Sequence, residues 1–174
     1  MRTTLLALVC LPAIAIAQSA PVSDAFKDFA KKEGKNLVAA ADEFPADKYG
    51  YKPTDKQMTV GDIVAHLIEG NDYLCGAISG QKAPARANKP KGSDAKDALM
   101  SQLKDSFEFC DKSLASLDDS KLGEQLPFFG GKTQTRAAVM TITTGDWADH
   151  YSQMANYLRL NNMLPPTAQK KPAA

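Results

Sequence analysis

The stretch GDWADHYSQMANYLRLNNMLPP, Gly145 to Pro166, has the pattern of an amphipathic helix that ends abruptly. Apolar residues recur in it at intervals of three and four, which is the period of one helix face. Two consecutive prolines stop the pattern because proline cannot continue a helix. We predict a helix from about Thr135 to Asn161, whose core-facing stripe is Met140, Thr144, Trp147, Tyr151, Met154 and Leu158.

Three further helices are predicted before this one. The first runs from about Ser23 to Glu43. The second starts at Thr59-Val60-Gly61-Asp62, which fits a capping box, and Gly80 ends it. The third runs from about Ser93 to Leu117 and has the most regular helical period of the chain.

The remaining segments indicate connections and not strands. DDSKLGEQLPFFGGK, Asp118 to Lys132, is predicted as a turn-rich connection in which Phe128 and Phe129 cover one end of the core. GQKAPARANKPKGS, Gly80 to Ser93, is rich in proline, glycine and basic residues and is predicted as a solvated loop. Four amphipathic helices without convincing strands predict an all-α fold, an antiparallel four-helix bundle.

Length and composition indicate a single domain, and the N-terminal sequence indicates that it is exported. The chain has 174 residues, which suits a single domain, and 24% of them are charged, as in ordinary globular proteins. Arg2 precedes the apolar run LLALVCLPAIAIA, and Ala15-Ile16-Ala17 resembles a cleavage site. We therefore predict a signal peptide over 1–17, a helical bundle over 18–166 and a disordered tail over 167–174. The expected location is secreted or periplasmic.

The charge balance limits the partners. Without Arg2 the chain carries 20 basic and 20 acidic residues, which argues against nucleic acid as a partner. No later segment is apolar for long enough to cross a bilayer. The remaining class of partner is a small-molecule substrate, whose identity is unknown. The sequence does not decide between a monomer and a homodimer.

The mature chain would hold two cysteines, Cys75 and Cys110. Each lies on the apolar face of its predicted helix. In an oxidising compartment such a pair predicts a disulfide between neighbouring helices. The alternative is two buried free thiols that pack as small hydrophobic side chains.

The chain contains two histidines, and both are candidate metal ligands. Asp146 and His150 are four residues apart, so a helix places them on one face. His66 lies on the second helix and points toward the core or its rim. If these helices face each other, two imidazoles and one carboxylate form a set for a divalent transition metal. An acid–histidine hydrogen bond without a metal is the alternative, and Asp62 and Asp149 are reserve ligands.

The helix-two string HLIEGNDYL and the helix-four string DHYSQMANYLRLNNMLPP resemble the signature regions of the DinB-like superfamily, the DinB and YfiT four-helix bundles that bind metal. The resemblance extends from about Phe26 to Pro166. His66 matches the histidine of helix two, His150 the second histidine of helix four, and Gln153 a following glutamine. This similarity implies metal ligation by His66, Asp146 and His150, with Asp146 standing where the family usually has a histidine.

The resemblance also limits the expected activity. Characterised relatives include thiol-cofactor-dependent transferases and isomerases, and others resemble hydrolases. It therefore implies a metal-dependent hydrolase or thiol transferase that binds zinc, nickel, manganese or iron. Export weakens the transferase reading because cytoplasmic thiol cofactors would be scarce. The alternative is a non-catalytic bundle, with a degenerate metal site, that binds a small ligand or a partner.

Overall fold

The fold is known from a computed structural model that describes residues 20–169. Four helices make up most of it: α1 (Pro21–Glu43), α2 (Val60–Ser79), α3 (Lys96–Leu114) and α4 (Arg136–Leu160). Two short strands, β1 (Gln125–Phe128) and β2 (Lys132–Thr135), form an antiparallel hairpin before α4. The prediction of an all-α four-helix bundle is confirmed.

Contacts between the helices establish that α2 and α3 run in the same direction. The amide of Asn71 donates to Ser106 Oγ at 3.0 Å, and Cys75 is joined to Cys110. Both helices therefore advance by four residues between the two contacts. Since parallel neighbours need a connection that returns along the bundle, segment 80–95 is long.

Two other neighbouring pairs, α2 with α4 and α1 with α3, run in opposite directions. Between α2 and α4, Tyr157 bonds to Met58, just before α2, and Trp147 bonds to Asn71. The residue number therefore rises along α2 as it falls along α4. For α1 and α3, Lys27 bonds to the Leu117 carbonyl, and residues 34 and 107 lie in contact further along. Two helices thus point each way: α1 and its neighbour α4 run in one direction, and α2 and its neighbour α3 run in the other.

Local sequence signals explain where α2 and α4 begin and where α2 ends. The Thr59 side chain accepts from the Asp62 amide, and the Asp62 carboxylate accepts from the Thr59 amide, as the predicted capping box requires. Gly80 closes α2 in a left-handed conformation, with φ of 73°. Thr135 caps α4 through a bond from the Ala138 amide.

The core lies along the axis of the bundle and contains the disulfide. The Cys75 and Cys110 side chains are buried, and their Cα atoms are 5.3 Å apart. The structure therefore contains the predicted disulfide and not two free thiols. The predicted stripe of α4 faces this core, except that Thr144 and Tyr151 are only partly buried.

The segment before α4 differs from the prediction. Instead of a loop without strands, residues 125–135 form the hairpin, because Phe129-Gly130-Gly131 turn the chain and bring Gln125 opposite Thr135. Phe128 packs against the core, but Phe129 is 54% exposed and stacks on Tyr73 of α2 instead of covering the bundle end.

Three further predictions need correction or lie outside the described residues. The loop 80–93 is not fully solvated, because Arg86 makes two hydrogen bonds to Asp72 of α2 at 2.6 and 2.8 Å. Of the predicted disordered tail, Thr167 bonds to Tyr151 and Gln169 to Glu43. The predicted signal peptide, 1–17, and residues 170–174 fall outside the described range. No helix within residues 20–169 is both long and apolar enough to cross a membrane.

Candidate metal centre

His66, Asp146 and His150 come together where α2 crosses α4. The Nε2 atoms of both histidines lie 3.4 Å from the same carboxylate oxygen, Asp146 Oδ1. The two imidazole rings are 4.8 Å apart, centroid to centroid, with an angle of 66° between their planes. Potential ligand atoms of the three residues all lie within 4.8 Å of one another.

Exposure falls steadily across the group. The His66 side chain is 48% exposed, Asp146 24% and His150 8%. His150 is therefore held by the core, and His66 borders solvent. Residue 70, one turn after His66 on α2, is a glycine, and a Cβ there would lie 3.7 Å from Asp146 Oδ2. The carboxylate thus has open space on that side.

The three side chains change each other's protonation. The hydrogen bond to Asp146 raises the pKa of His66, although partial burial acts in the opposite direction. Burial alone would raise the pKa of Asp146, but the neighbouring imidazoles of His150 and His66 outweigh it and hold that pKa well below its ordinary range. Asp146 is thus ionised at neutral pH, as a metal-binding carboxylate must be.

The donor set fits a divalent transition metal. Two ligand atoms about 2.1 Å from a metal at a tetrahedral angle are about 3.4 Å apart. This matches the 3.4 Å separations from Asp146 Oδ1 to the two Nε2 atoms. Two imidazole nitrogens and one carboxylate oxygen suit zinc, nickel, manganese and iron, and the carboxylate makes the set harder than three imidazoles.

One atom does not fit as well. His150 Nδ1 is buried and has no hydrogen-bond partner within residues 20–169. A metal-binding histidine usually donates its second ring N–H to an acceptor, which fixes the tautomer. Among residues 20–169, no acceptor gives this support to His150, the most deeply buried of the three side chains.

A buried polar network lies directly behind the group. Asn71 Oδ1 accepts from Trp147 Nε1 at 2.7 Å, and Asn71 Nδ2 donates to Ser106 Oγ, which in turn donates to the Leu103 carbonyl. The network ties α2, α3 and α4 together beside Asp146. The sequence pattern predicts Trp147 only as a core residue, and Asn71 recurs at helical spacing among the apolar residues of α2. An asparagine in such an apolar stripe was the available signal.

The reserve ligands are not part of the group. Asp62 is engaged in the capping box of α2, and Asp149 accepts from Gln153 Nε2 at 2.6 Å. Cys75 and Cys110 are joined to each other, so neither of these two is a free thiol. Of the residues the sequence proposed as ligands, the structure brings together His66, Asp146 and His150.

Comparison with known proteins agrees with this architecture. A family model described as the DinB superfamily matches residues 30–154. A DinB-like protein from Bacillus cereus ATCC 10987 is similar in structure, with a TM-score of 0.68 and 13% identity over 82% of this chain and 95% of that one. A DinB-like protein from Bacillus subtilis has a TM-score of 0.66 and 16% identity over 84% and 99% of the two chains.

A more distant similarity is to a mycothiol-dependent maleylpyruvate isomerase, with a TM-score of 0.61 and 12% identity. It covers 76% of this chain and 60% of the isomerase. No curated protein is significantly similar to the chain. At such low identities the structural similarities establish the fold and not the activity.

Proposed function

The chain belongs to the DinB superfamily, and on that premise we propose that it binds one divalent transition-metal ion through His66, Asp146 and His150. The main support is that potential ligand atoms from two different helices lie within 4.8 Å of one another. The open side of the group, at His66, would leave space for a small substrate. The metal would be zinc, nickel, manganese or iron.

The three ligand residues would have different roles, according to how far each is exposed to solvent. His150 and the network behind it would hold the group in place, while Asp146 would supply the negative charge that favours a cation. His66, which borders solvent, would be the ligand nearest to the substrate and would help to orient it. A bound metal ion would supply Lewis-acid activation of a water or thiol nucleophile.

Two reaction classes follow, a hydrolase and a thiol transferase acting on a small substrate. The thiol-transferase hypothesis is supported by the fold shared with a mycothiol-dependent isomerase. The hydrolase hypothesis is supported by the proposed export, because an exported protein would leave the cytoplasm, where low-molecular-weight thiols are abundant. Export itself rests on the signal-peptide pattern of residues 1–17.

The proposal is tested by elemental analysis of protein purified without a metal-binding tag. We expect about one transition-metal ion per chain, and added zinc or nickel should raise the melting temperature by mass action. His150→Ala and Asp146→Ala should each abolish stoichiometric binding and leave helical circular dichroism nearly unchanged. Asp149→Ala is the matched control, because this exposed carboxylate precedes His150 but lies outside the ligand group.

Metal retained at full stoichiometry in both His150→Ala and Asp146→Ala would show that these side chains do not form the site. Loss of metal in Asp149→Ala as well would indicate a general effect of charge on α4. Calorimetric titration of zinc into each variant separates weakened affinity from loss of the site.

One observation favours a second function, a non-catalytic bundle that binds a small ligand or partner. The lack of an acceptor for His150 Nδ1 in the described part of the chain disfavours the tautomer that frees Nε2 for a metal. The histidines and Asp146 would then form a closed hydrogen-bonded group. This function predicts that neither zinc nor nickel changes the melting temperature.

A further inference from the structure

A cavity of 390 Å³ lies at the carboxyl-terminal end of α4, the helix that carries Asp146 and His150. Gln153, which lines it, follows His150 by less than one helical turn. The lining also includes Gln57, from the segment before α2, and Asn156 and Arg159 of α4. The cavity therefore sits along the same junction of α2 and α4 that holds the metal group.

The polar lining is rich in hydrogen-bond donors without partners. Gln57 Oε1 already accepts from the Thr54 hydroxyl at 3.1 Å, which leaves the two N–H groups of Gln57 Nε2 available. Asn156 and Arg159 make no side-chain hydrogen bond or ion pair to any of residues 20–169. Five guanidinium N–H groups and the amide donors thus face solvent at the cavity.

The charge of the cavity is positive. Arg159 is the one ionised side chain among the lining residues. The nearest acid on the same helix, Asp149, is engaged by Gln153 Nε2 at 2.6 Å on the side toward the metal group. Near Gln57, Asp55 is paired with Lys52 at 3.7 Å. An anionic ligand group would therefore meet one unpaired cation and no unpaired acid in the lining.

The rest of the lining is apolar. Leu160 is 62% exposed although it is a large hydrophobic residue, and Pro53, from the segment before α2, also lines the cavity. The ring of Tyr157 forms the floor and donates its hydroxyl to the Met58 carbonyl, so it presents carbon atoms to the cavity. A ligand that fits this surface combines an anionic group with a hydrocarbon part.

We infer that this cavity holds the carboxylate-bearing, partly apolar end of the small molecule on which the metal centre acts. A carboxylate matches the planar guanidinium of Arg159 and the amide donors, and a hydrocarbon chain covers Leu160 and Pro53. This substrate class rests on the proposed metal-binding function, but binding of the carboxylate end to the cavity does not.

The distance between the two sites sets the length of the molecule. Arg159 follows His150 by nine residues on α4, which is a rise of about 13 Å along a helix. Gln153 lies within this span. An unbranched chain of about eight carbon atoms extends roughly 10 Å, and a hydrogen bond of about 2.9 Å at the guanidinium and a bond of about 2.1 Å to the metal cover the remainder of the rise.

The first experiment uses hexanoate as the probe, with neutral hexanamide as its matched control, on metal-free protein. In NMR titrations, hexanoate should shift the side-chain amide signals of Gln57 and Asn156 saturably, and hexanamide should not. Arg159→Gln should weaken hexanoate binding by about tenfold, as expected for loss of a charged hydrogen bond. Lys132→Gln, which removes an exposed cation from the hairpin, should leave binding unchanged.

The second experiment uses suberic acid monohydroxamate, whose hydroxamate binds zinc and whose carboxylate matches the cavity. We expect it to bind zinc-loaded protein at least about tenfold more tightly than metal-free protein. His150→Ala should remove the gain from zinc, and Arg159→Gln should remove the contribution of the carboxylate.

The two experiments fail in different ways. If hexanoate gives no saturable shifts, or if Arg159→Gln binds it as well as the wild type, the inference about the cavity is wrong whatever zinc does. If hexanoate binds as expected but the protein takes up no zinc, the proposed metal function is wrong and carboxylate binding by the cavity stands. If zinc binds but adds nothing to the affinity for the hydroxamate, the cavity does not serve the metal centre.

Discussion

The side-chain amide of Asn71 accepts a hydrogen bond from the indole N–H of Trp147, with 2.7 Å between Oδ1 and Nε1. Both side chains are at most 1% exposed. Asn71 lies on α2 five residues after His66, and Trp147 directly follows Asp146 on α4. This buried bond therefore fixes how the two ligand-bearing helices are aligned, because any slide of one along the other would leave both groups without partners.

Asn71→Ala is expected to lower the free energy of unfolding by about 2–3 kcal/mol, because the Trp147 N–H loses its only acceptor in the described structure and Ser106 loses a donor. Trp147→Phe removes the same bond but also leaves a cavity. In a double-mutant cycle, the two changes should be coupled by about 1 kcal/mol. Denaturant unfolding measures all three variants.

The exposed asparagine Asn88 is the control for this cycle, and Asn88→Ala should change stability by less than about 0.5 kcal/mol. Strict additivity of Asn71→Ala and Trp147→Phe would contradict a role for the bond in aligning α2 with α4.

The Cys75–Cys110 bond should contribute strongly to stability. It closes a loop with a sequence separation of 35 residues, for which chain entropy gives about 3–4 kcal/mol. We expect the Cys75→Ala/Cys110→Ala double variant to lose about this much in guanidinium unfolding. Because both side chains are buried, dithiothreitol should reduce the bond only when denaturant is present. Rapid reduction of the folded protein would be inconsistent with this burial.

The stability of metal-free protein should depend on pH through the Asp146 group. The lowered pKa of Asp146 contributes stability that is present above its unfolded value, about 4, and is lost as the pH falls toward the folded value. The raised pKa of His66, due mainly to its bond with Asp146, contributes stability that is complete below about 6.5 and is lost as the pH rises.

The difference in melting temperature between wild type and Asp146→Asn, measured with chelator present, should therefore be largest between about pH 4 and 6.5. It should decrease on either side of this range. A difference that grows continuously up to pH 9 would show that the histidine–aspartate contact does not carry the effect.

Gly61 is required where the connection 80–95 crosses the start of α2. A Cβ at this position would collide with the Gly92 carbonyl oxygen and lie 3.0 Å from its carbon. We expect Gly61→Ala to lower the free energy of unfolding by about 1–3 kcal/mol through this clash with backbone. Gly145→Ala in α4, where no atom lies within 4 Å, should instead stabilise the protein by about 0.5–1 kcal/mol. Equal effects of the two changes would argue against the close approach at Gly61.

Much of the candidate site could be predicted from local sequence patterns. Asp146 and His150 are four residues apart, and helical geometry alone puts them on one face. The placement of His66 opposite them was a prediction that depended on resemblance to a family. Because no local rule aligns one helix with another, periodicity could not reveal that both imidazoles share a single oxygen of Asp146.

The sequence by itself determined the number of helices, most of their ends and their buried faces. These follow from interactions within a few residues, such as the bond between Thr59 and Asp62 or the left-handed turn at Gly80. The hairpin at 125–135 was missed because its pairing depends on the turn at Gly130 and Gly131 more than on any alternating pattern.

Only the tertiary structure decided the directions of the helices, the partner of Asn71 and the cavity beside Arg159. These depend on contacts between residues distant in the chain, and their free energies become available only when whole helix faces pack together. Side-chain packing in the core selects one alignment of α2 against α4, and that alignment brings His66 to Asp146.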